Sequence, residues 1–191
     1  MDAAIALPRP APAFIRPPAM VLATATLIPL ADYDPIAVEA LLDRVFGGDR
    51  HERTAYAIRD GADYLPALSF AALAPDGQLA GSIQAYPVAL TDDGGRAHPM
   101  IMVGPVAVHP DRQDQGYGRA MMAAQAGSID PRAPLPQVLI GDPGYYNPFG
   151  FFADGTAGWR CPATWEPHRL LVRSPNPAVL PASGMLGPWR G

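Results

Sequence analysis

The run MIMVGPVAVHP, residues 100–110, constrains the fold more than any other stretch of the chain. It is nearly all apolar, so neither face of a strand built from it can be left to water, and the strand belongs in the interior of a sheet. Pro105 cannot donate to a ladder, and the spacing therefore predicts a bulge or a break in pairing at Gly104–Pro105. A glycine-punctuated loop, DRQDQGYGR, follows at once and opens a run that reads as a helix from 116 to about 127. Interior strand, loop and helix together fix a crossover in the middle of the chain.

The flanking elements follow from local chemistry. TATLIPL reads as a short strand, after which Asp34 caps a helix whose first position is Pro35. Val38, Leu41, Leu42 and Val45 fall at helical spacing, and Gly47 and Gly48 stop the run. HERTAYAIRDG, 51–61, predicts a weaker helix with Tyr56 on one side and Arg53 and Arg59 on its surface. Residues 66–90 read as two strands around the turn PDGQ. QVLIGD at 137–142 is a further strand, GYYNPFGFF a short turn or helix ended by Gly150, and HRLLVR at 168–173 the clearest of the later strands. Hairpin-connected strands come first and a strand–helix–strand crossover later. The class is mixed α/β (α+β), with a central, mostly antiparallel sheet of six to seven strands flanked by about four helices.

Organisation is read from composition. Residues 1–23 form a Pro/Ala-rich arm, with prolines at 8, 10, 12, 17 and 18 breaking any secretory signal layout, and Met20 is a second candidate start. Residues 24–173 form one domain, and 174–191 a Pro/Gly-rich tail whose Met185, Leu186 and Trp189 are expected to dock on the body or on a second copy of the chain, as in a homodimer. At 191 residues, half of them apolar, one buried core is the natural outcome. No run approaches a bilayer span, and the single Cys161 excludes an internal disulfide and a cysteine-based zinc cluster, so cytoplasmic residence and no metal are expected. The net charge of -4 and scattered arginines argue against nucleic acid as a partner. All fourteen basic residues are arginine, which removes the chemistries that need a lysine amine: a Walker phosphate loop, a pyridoxal Schiff base and an SxxK acyl-enzyme.

What remains is the loop. At a helix N-terminus the first N–H groups lack intrahelical partners and the peptide dipoles add partial positive charge. Gly116 and Gly118 let the backbone curl so that several N–H groups converge on one anion, with Arg112 and Arg119 beside them. A diphosphate fits such a place; a plain turn with surface arginines is the structural alternative. A dinucleotide fingerprint is incomplete here, since its third glycine would fall at Met121.

Gln113 to Gly118 matches the QxxGxG form of the pyrophosphate motif, and VAVHPDRQ before it resembles the fourth strand, of the GNAT superfamily of N-acetyltransferases. GDPGYYNPFGFF is similar to that family's segment after the fifth strand, where a tyrosine stands four residues before a Gly-Phe pair, as Tyr146 does before Gly150 and Phe151. The resemblance implies direct transfer of an acetyl group from acetyl-CoA to an amine acceptor, without a covalent enzyme intermediate. It places the pyrophosphate on the loop Gln113, Asp114, Gln115, Gly116, Tyr117, Gly118 and Arg119, and the pantetheine arm along Val106, Ala107 and Val108. A backbone N–H near Val106 would stabilise charge on the thioester carbonyl, a splay between strands 100–108 and 137–142 would admit the arm, and Tyr146 would be the general acid. Asp142 is the first choice as general base, ahead of His98, His109 and Glu52. Loops 47–65, 92–98 and 154–166 are expected to shape the acceptor pocket. The rival reading is a GNAT-like acyl-CoA-binding module without catalysis.

Overall fold

The computed structural model of the protein describes residues 25–190, so the expected arm at 1–23 lies outside them. Strand β1 (Thr26–Pro29) leads into helix α1 (Pro35–Phe46). The Asp34 carboxylate accepts from the Ile36 N–H at 2.9 Å, and Gly47 ends the helix at φ 89°. Val38, Leu41 and Leu42 are buried, so the helical spacing is the face that packs, with Val45 half-buried beside them. The second helix is shorter than its sequence stretch: a 3-10 turn at Arg50–Glu52 precedes α2 (Thr54–Ile58).

Strands β2 (Phe70–Leu73) and β3 (Leu79–Thr91) form the hairpin around PDGQ, whose Asp76 side chain accepts from the Gln78 N–H. β4 (Ala97–Val108) returns antiparallel to β3 and holds the centre of the sheet. Helix α3 (Tyr117–Gly127) crosses to β5 (Gln137–Ile140), which runs parallel to β4. Helix α4 (Pro143–Tyr146) and a 3-10 turn at Asn147–Phe149 follow, then β6 (Gly158–Arg160), β7 (Leu170–Arg173) and β8 (Ser183–Pro188). The main path through the sheet is β1-β2-β3-β4-β5-β7, with β8 paired to β3 and β6. α1 and α2 cover one face, over Ala71, Ala107, Val88, Leu90 and Met102; α3 covers the other, where Tyr117, Met121 and Met122 pack on Ile83, Ala85, Val103 and Leu139.

The eighth strand is the element that sequence patterning does not show. SGMLGP has no alternation of its own, yet Val88 to Thr91 of the long β3 stand opposite Met185 to Pro188 beyond the end of β2, and β8 fills that vacant edge. Leu186 is thereby buried among Leu90, Met100 and Trp159, so the tail docks on its own body through this residue, while Met185 and Trp189, expected to dock with it, stay exposed. Among the described residues no helix is long and apolar enough to cross a membrane.

Truncating Leu186, 1% exposed, should therefore cost as much as a central core position. Leu186→Ala is expected to lower unfolding stability by about 2–5 kcal/mol in urea titration. A loss below about 0.5 kcal/mol, the size of a surface change, would show that the tail is not part of the core.

Candidate functional site

The site begins with an error in the ladder between β3 and β4. Val103 stands opposite Ala85, but the next regular pair is Val106 opposite Ile83, so three residues of β4 advance against two of β3. The break expected at Gly104–Pro105 is this bulge, and the Gly104–Pro105 peptide is cis. Above it the Ile101 N–H points away from β3 and donates to the Pro136 carbonyl at 2.9 Å, while below it the His109 N–H points toward β3 and donates to Ala80 O at 2.8 Å. Strict alternation on each side then turns the N–H groups of Ile101, Val103, Val106 and Val108 to the β5 edge. Ala107 turns both of its peptide groups to β3, and its methyl is buried under α1.

The β5 edge is where the sheet opens. β5 pairs with β4 only at Ile101–Gln137 and Met102–Val138; Leu139 and Ile140 pair with β7 alone. The outward amides of Val106 and Val108 thus face a gap. At its inner end lies a cavity of about 630 Å³, bounded by Val103, Val106, Ile140, Asp142 and Tyr146 on the sheet side. Arg50, Glu52, Tyr56 and Arg59 close it from the segment around α2, and Thr164, Trp165, Glu166 and Arg169 from the loop before β7. Of the three loops expected to shape an acceptor pocket, 47–65 and 154–166 contribute and 92–98 does not. His98 is paired with Asp92 at 2.8 Å at the far tip of the β3–β4 hairpin, and His109 lines a separate depression beside α1.

At the outer end of the gap stands the loop Gln113 to Arg119. Asp114 and Gly116 are left-handed, at φ 60° and 88°, and these two turns swing the chain from the end of β4 into α3. Gly116 is the N-cap and, as glycine, brings no side chain of its own to cap the helix. Gln115 is tied back to the Asp111 carbonyl at 3.2 Å, Tyr117 is buried in the core, and Arg112 is paired with Asp76 of the β2–β3 turn rather than facing the loop. The first-turn amides of α3 therefore present a dipole end to the gap.

The two tyrosines of α4 diverge. The Tyr145 hydroxyl lies over the Cα of Gly118, where any Cβ would strike it. Tyr146 packs its ring over Gly141 and edge-on to Phe151 at 6.3 Å, and lines the inner cavity. Asn147, with its amide oriented to satisfy both neighbours, donates to Pro143 O and Phe151 O and fixes the turn after Tyr146. Asp142 caps α4 through Oδ1, which accepts from Gly144 N at 3.2 Å, and stands exposed on the cavity rim. Cys161 is buried, and burial pushes its thiol up to about 12, away from nucleophilic use. Among the described residues no three His, Cys, Asp or Glu side chains gather as a metal site.

Arg59 is the main surprise. Sequence patterning leaves it on the surface of a weak helix, but it is 5% exposed, with its guanidinium 4.0 Å from the Tyr56 ring centroid and 4.3 Å from that of Tyr86. Nη1 donates to the Gly104 carbonyl in the bulge at 2.7 Å. Burial pulls its pKa below the ordinary arginine value, though the group remains a cation. Glu166 and Trp165 lie in the loop expected at 154–166, although no periodicity singles them out within it.

Comparison with known proteins gives a family. Residues 27–153, more than half of the chain, match the family described as Acetyltransferase (GNAT) domain. A GNAT family N-acetyltransferase, YhbS from Escherichia coli, solved in complex with CoA, is 23% identical, with 91% of this chain and 93% of that one covered at TM-score 0.66. Arabidopsis thaliana Naa50, in complex with the bisubstrate analogue CoA-Ac-MVNAL, is 16% identical over 79% of this chain and 99% of that one, TM-score 0.51. A histone acetyltransferase HPA2 and related acetyltransferase from Corynebacterium glutamicum is 14% identical over 80% and 97%, TM-score 0.51. No curated protein matches.

Burial pushes the Tyr146 phenol well above its ordinary value of 10.0, with Tyr145 adding to the rise. The folded state then holds a proton that the unfolded chain releases, so this contribution to stability is complete below pH 10 and is lost as pH climbs toward the folded pKa. Tyr146→Phe should lose stability less steeply than the wild type above pH 10 in denaturant titrations. Parallel pH curves would mean that the phenol is freely solvated.

Proposed function

The chain belongs to the GNAT acetyltransferase family, and on that premise we propose that it is an acetyl-CoA-dependent N-acetyltransferase acting on an amine by direct attack. The observation that carries this reading is the continuous track from the uncapped start of α3, along the outward amides of Val108 and Val106, to the cavity at Tyr146. Its chemistry fits a ligand with a diphosphate at one end, an amide-bearing arm in the middle and a reactive carbonyl at the other. That YhbS was solved with CoA supports the reading.

When bound, acetyl-CoA supplies an acetyl group activated as a thioester. The residues of this chain do the rest. The loop from Gln113 to Arg119, through the amides around Gly116 and Gly118, holds the diphosphate. Val108 and Val106 offer their N–H groups as a strand edge to the arm, in the place β5 has vacated. The Val106 N–H, fixed by the bulge, lies where negative charge develops on the carbonyl oxygen and needs no reorganisation to meet it. Tyr146, neutral at physiological pH as any phenol is, donates its proton to the departing thiolate. Asp142 takes the proton of the attacking amine through the carboxylate oxygen that the α4 cap leaves over. Glu52 and Glu166 line the same cavity, as do Arg50, Arg53, Arg59 and Arg169.

These roles separate by kinetics. Tyr146→Phe is expected to reduce turnover about 100-fold with little change in acetyl-CoA affinity, because only proton transfer is touched. Turnover within about twofold of wild type would remove Tyr146 as the acid. Gly116→Val places a β-branched side chain at φ 88°, and should weaken acetyl-CoA at least about tenfold by calorimetry while the fold persists by circular dichroism. Unchanged affinity would contradict the diphosphate site. Acetyl-CoA binding without thiol release over a broad amine panel would make the protein an acyl-CoA-binding module.

A further inference from the structure

Two arginines are buried in the wall of the inner cavity, and their surroundings differ in kind. Arg50, 3% exposed, is neutralised: its guanidinium meets Asp43 at 2.7 Å, Glu39 and the Tyr56 hydroxyl. Arg59 is as buried and has no carboxylate within ion-pair distance among the described residues. Its neighbours are the Gly104 carbonyl, the Tyr56 hydroxyl and the faces of two tyrosine rings. The Tyr86 hydroxyl is turned away to Gln84 at 2.6 Å. A desolvated cation is costly unless paired, and ring faces with one carbonyl compensate it only in part. A guanidinium also carries five N–H donors in a fixed fork, more than these neighbours accept.

The location says what the missing partner is. Gly104 O, which Arg59 holds, is two residues before Val106, so the guanidinium stands within a small-molecule length of the carbonyl to be attacked; two Cα–Cα steps span at most about 7 Å. The cavity also holds Glu52 at the turn before α2, Asp142 at the end of β5 and Glu166 before β7, with Arg53 next to the first and Arg169 near the last. Arg59 is therefore the cation that stands at the bulge, and Asp142 is the carboxylate across the gap at the end of β5.

We propose that Arg59 anchors a carboxylate of the acceptor, so that the acceptor is a small amine that itself carries a carboxylate, of amino-acid type. This rests on the acetyltransfer reading above and specifies its second substrate. The carboxylate completes the ion pair that the fold leaves open, with the planar fork suited to bidentate contact. The amine then extends toward Asp142 and Tyr146. A neutral acceptor leaves the buried guanidinium as costly as before, and so gains nothing from the site.

Matched acceptors test this on the wild-type protein, each amine supplied as the free carboxylate and as its primary amide, with thiol release measured at saturating acetyl-CoA. The carboxylate members are expected to show kcat/KM higher by about tenfold or more. Arg59→Gln should bring each pair within about twofold of one another, and Arg59→Lys, which keeps the charge without the fork, should fall between. The readout is the ratio within each pair, which cancels any change that loss of the Gly104 contact makes at the Val106 N–H. Turnover of carboxylates and amides alike by the wild type would overturn this proposal and leave acetyl transfer standing. A carboxylate preference that survives in a folded Arg59→Gln protein would overturn it as well, by placing the anchor elsewhere. Failure of every amine in both forms would overturn acetyl transfer and this proposal with it.

Discussion

The bulge in β4 is the constraint on which the site depends. Were β4 regular through its length, the residues turned to the open edge after Val103 would be 105 and 107. Position 105 is proline and has no N–H at all. One extra residue shifts the parity, so Val106 and Val108 face the gap and Ala107 pairs with β3. The same shift carries the side chains: Val103, Val106 and Val108 all point to the α3 face, and Ala107 to the α1 face. Core and site are thus served by a single irregularity. A proline that would weaken a regular interior strand is harmless where the ladder is already broken.

The parting of β4 from β5 follows from different causes at its two ends. Near Ile101 and Met102 the strands are pinned by pairing and by the Ile101 bond to Pro136. Beyond Val138, β5 keeps its hydrogen bonds to β7, with Gly141 N donating to Arg169 O at 2.9 Å. The partner strand on the far side satisfies β5, while the near edges of both strands are left for a ligand. Tyr146, packed over Gly141, stands in the opening as a wedge.

Much of this was legible because it is local. Asp34, Pro35 and Gly47 mark both ends of α1 by their own backbone chemistry, PDGQ marks a hairpin, and the apolar run at 100–108 marks the interior strand. The loop between Gln113 and Gly118 is local too, since the left-handed turns at Asp114 and Gly116 belong to its own residues. The illegible parts are set by partners distant in sequence. β8 is a strand because Thr91 and its neighbours lack a partner beyond β2, which nothing in SGMLGP announces. Arg59 carries the same polar signal as the exposed Arg53 six residues earlier; only the rings of Tyr56 and Tyr86 and the Gly104 carbonyl make it a buried group. The directions of Tyr145 and Tyr146 come from two glycines, Gly118 and Gly141, that sequence reading had no reason to pair with them.

Arg59 joins the two halves of the site. Through Gly104 O it braces the bulge that orients the Val106 N–H, and through its cavity position it is the cationic pole beside that amide. Loss of the side chain therefore acts in two ways, on the shape of the strand and on the charge of the pocket. The first would affect every acceptor equally, because in the proposed reaction the Val106 N–H meets the thioester whatever the amine. The second distinguishes acceptors by their charge. A fall in rate alone cannot separate them, whereas the ratio between a carboxylate and its amide cancels the shared effect and retains only the electrostatic one. Charge balance in the cavity thus becomes a statement about specificity: the fold neutralises Arg50 with its own Glu39 and Asp43, and Arg59 has no such carboxylate among the described residues.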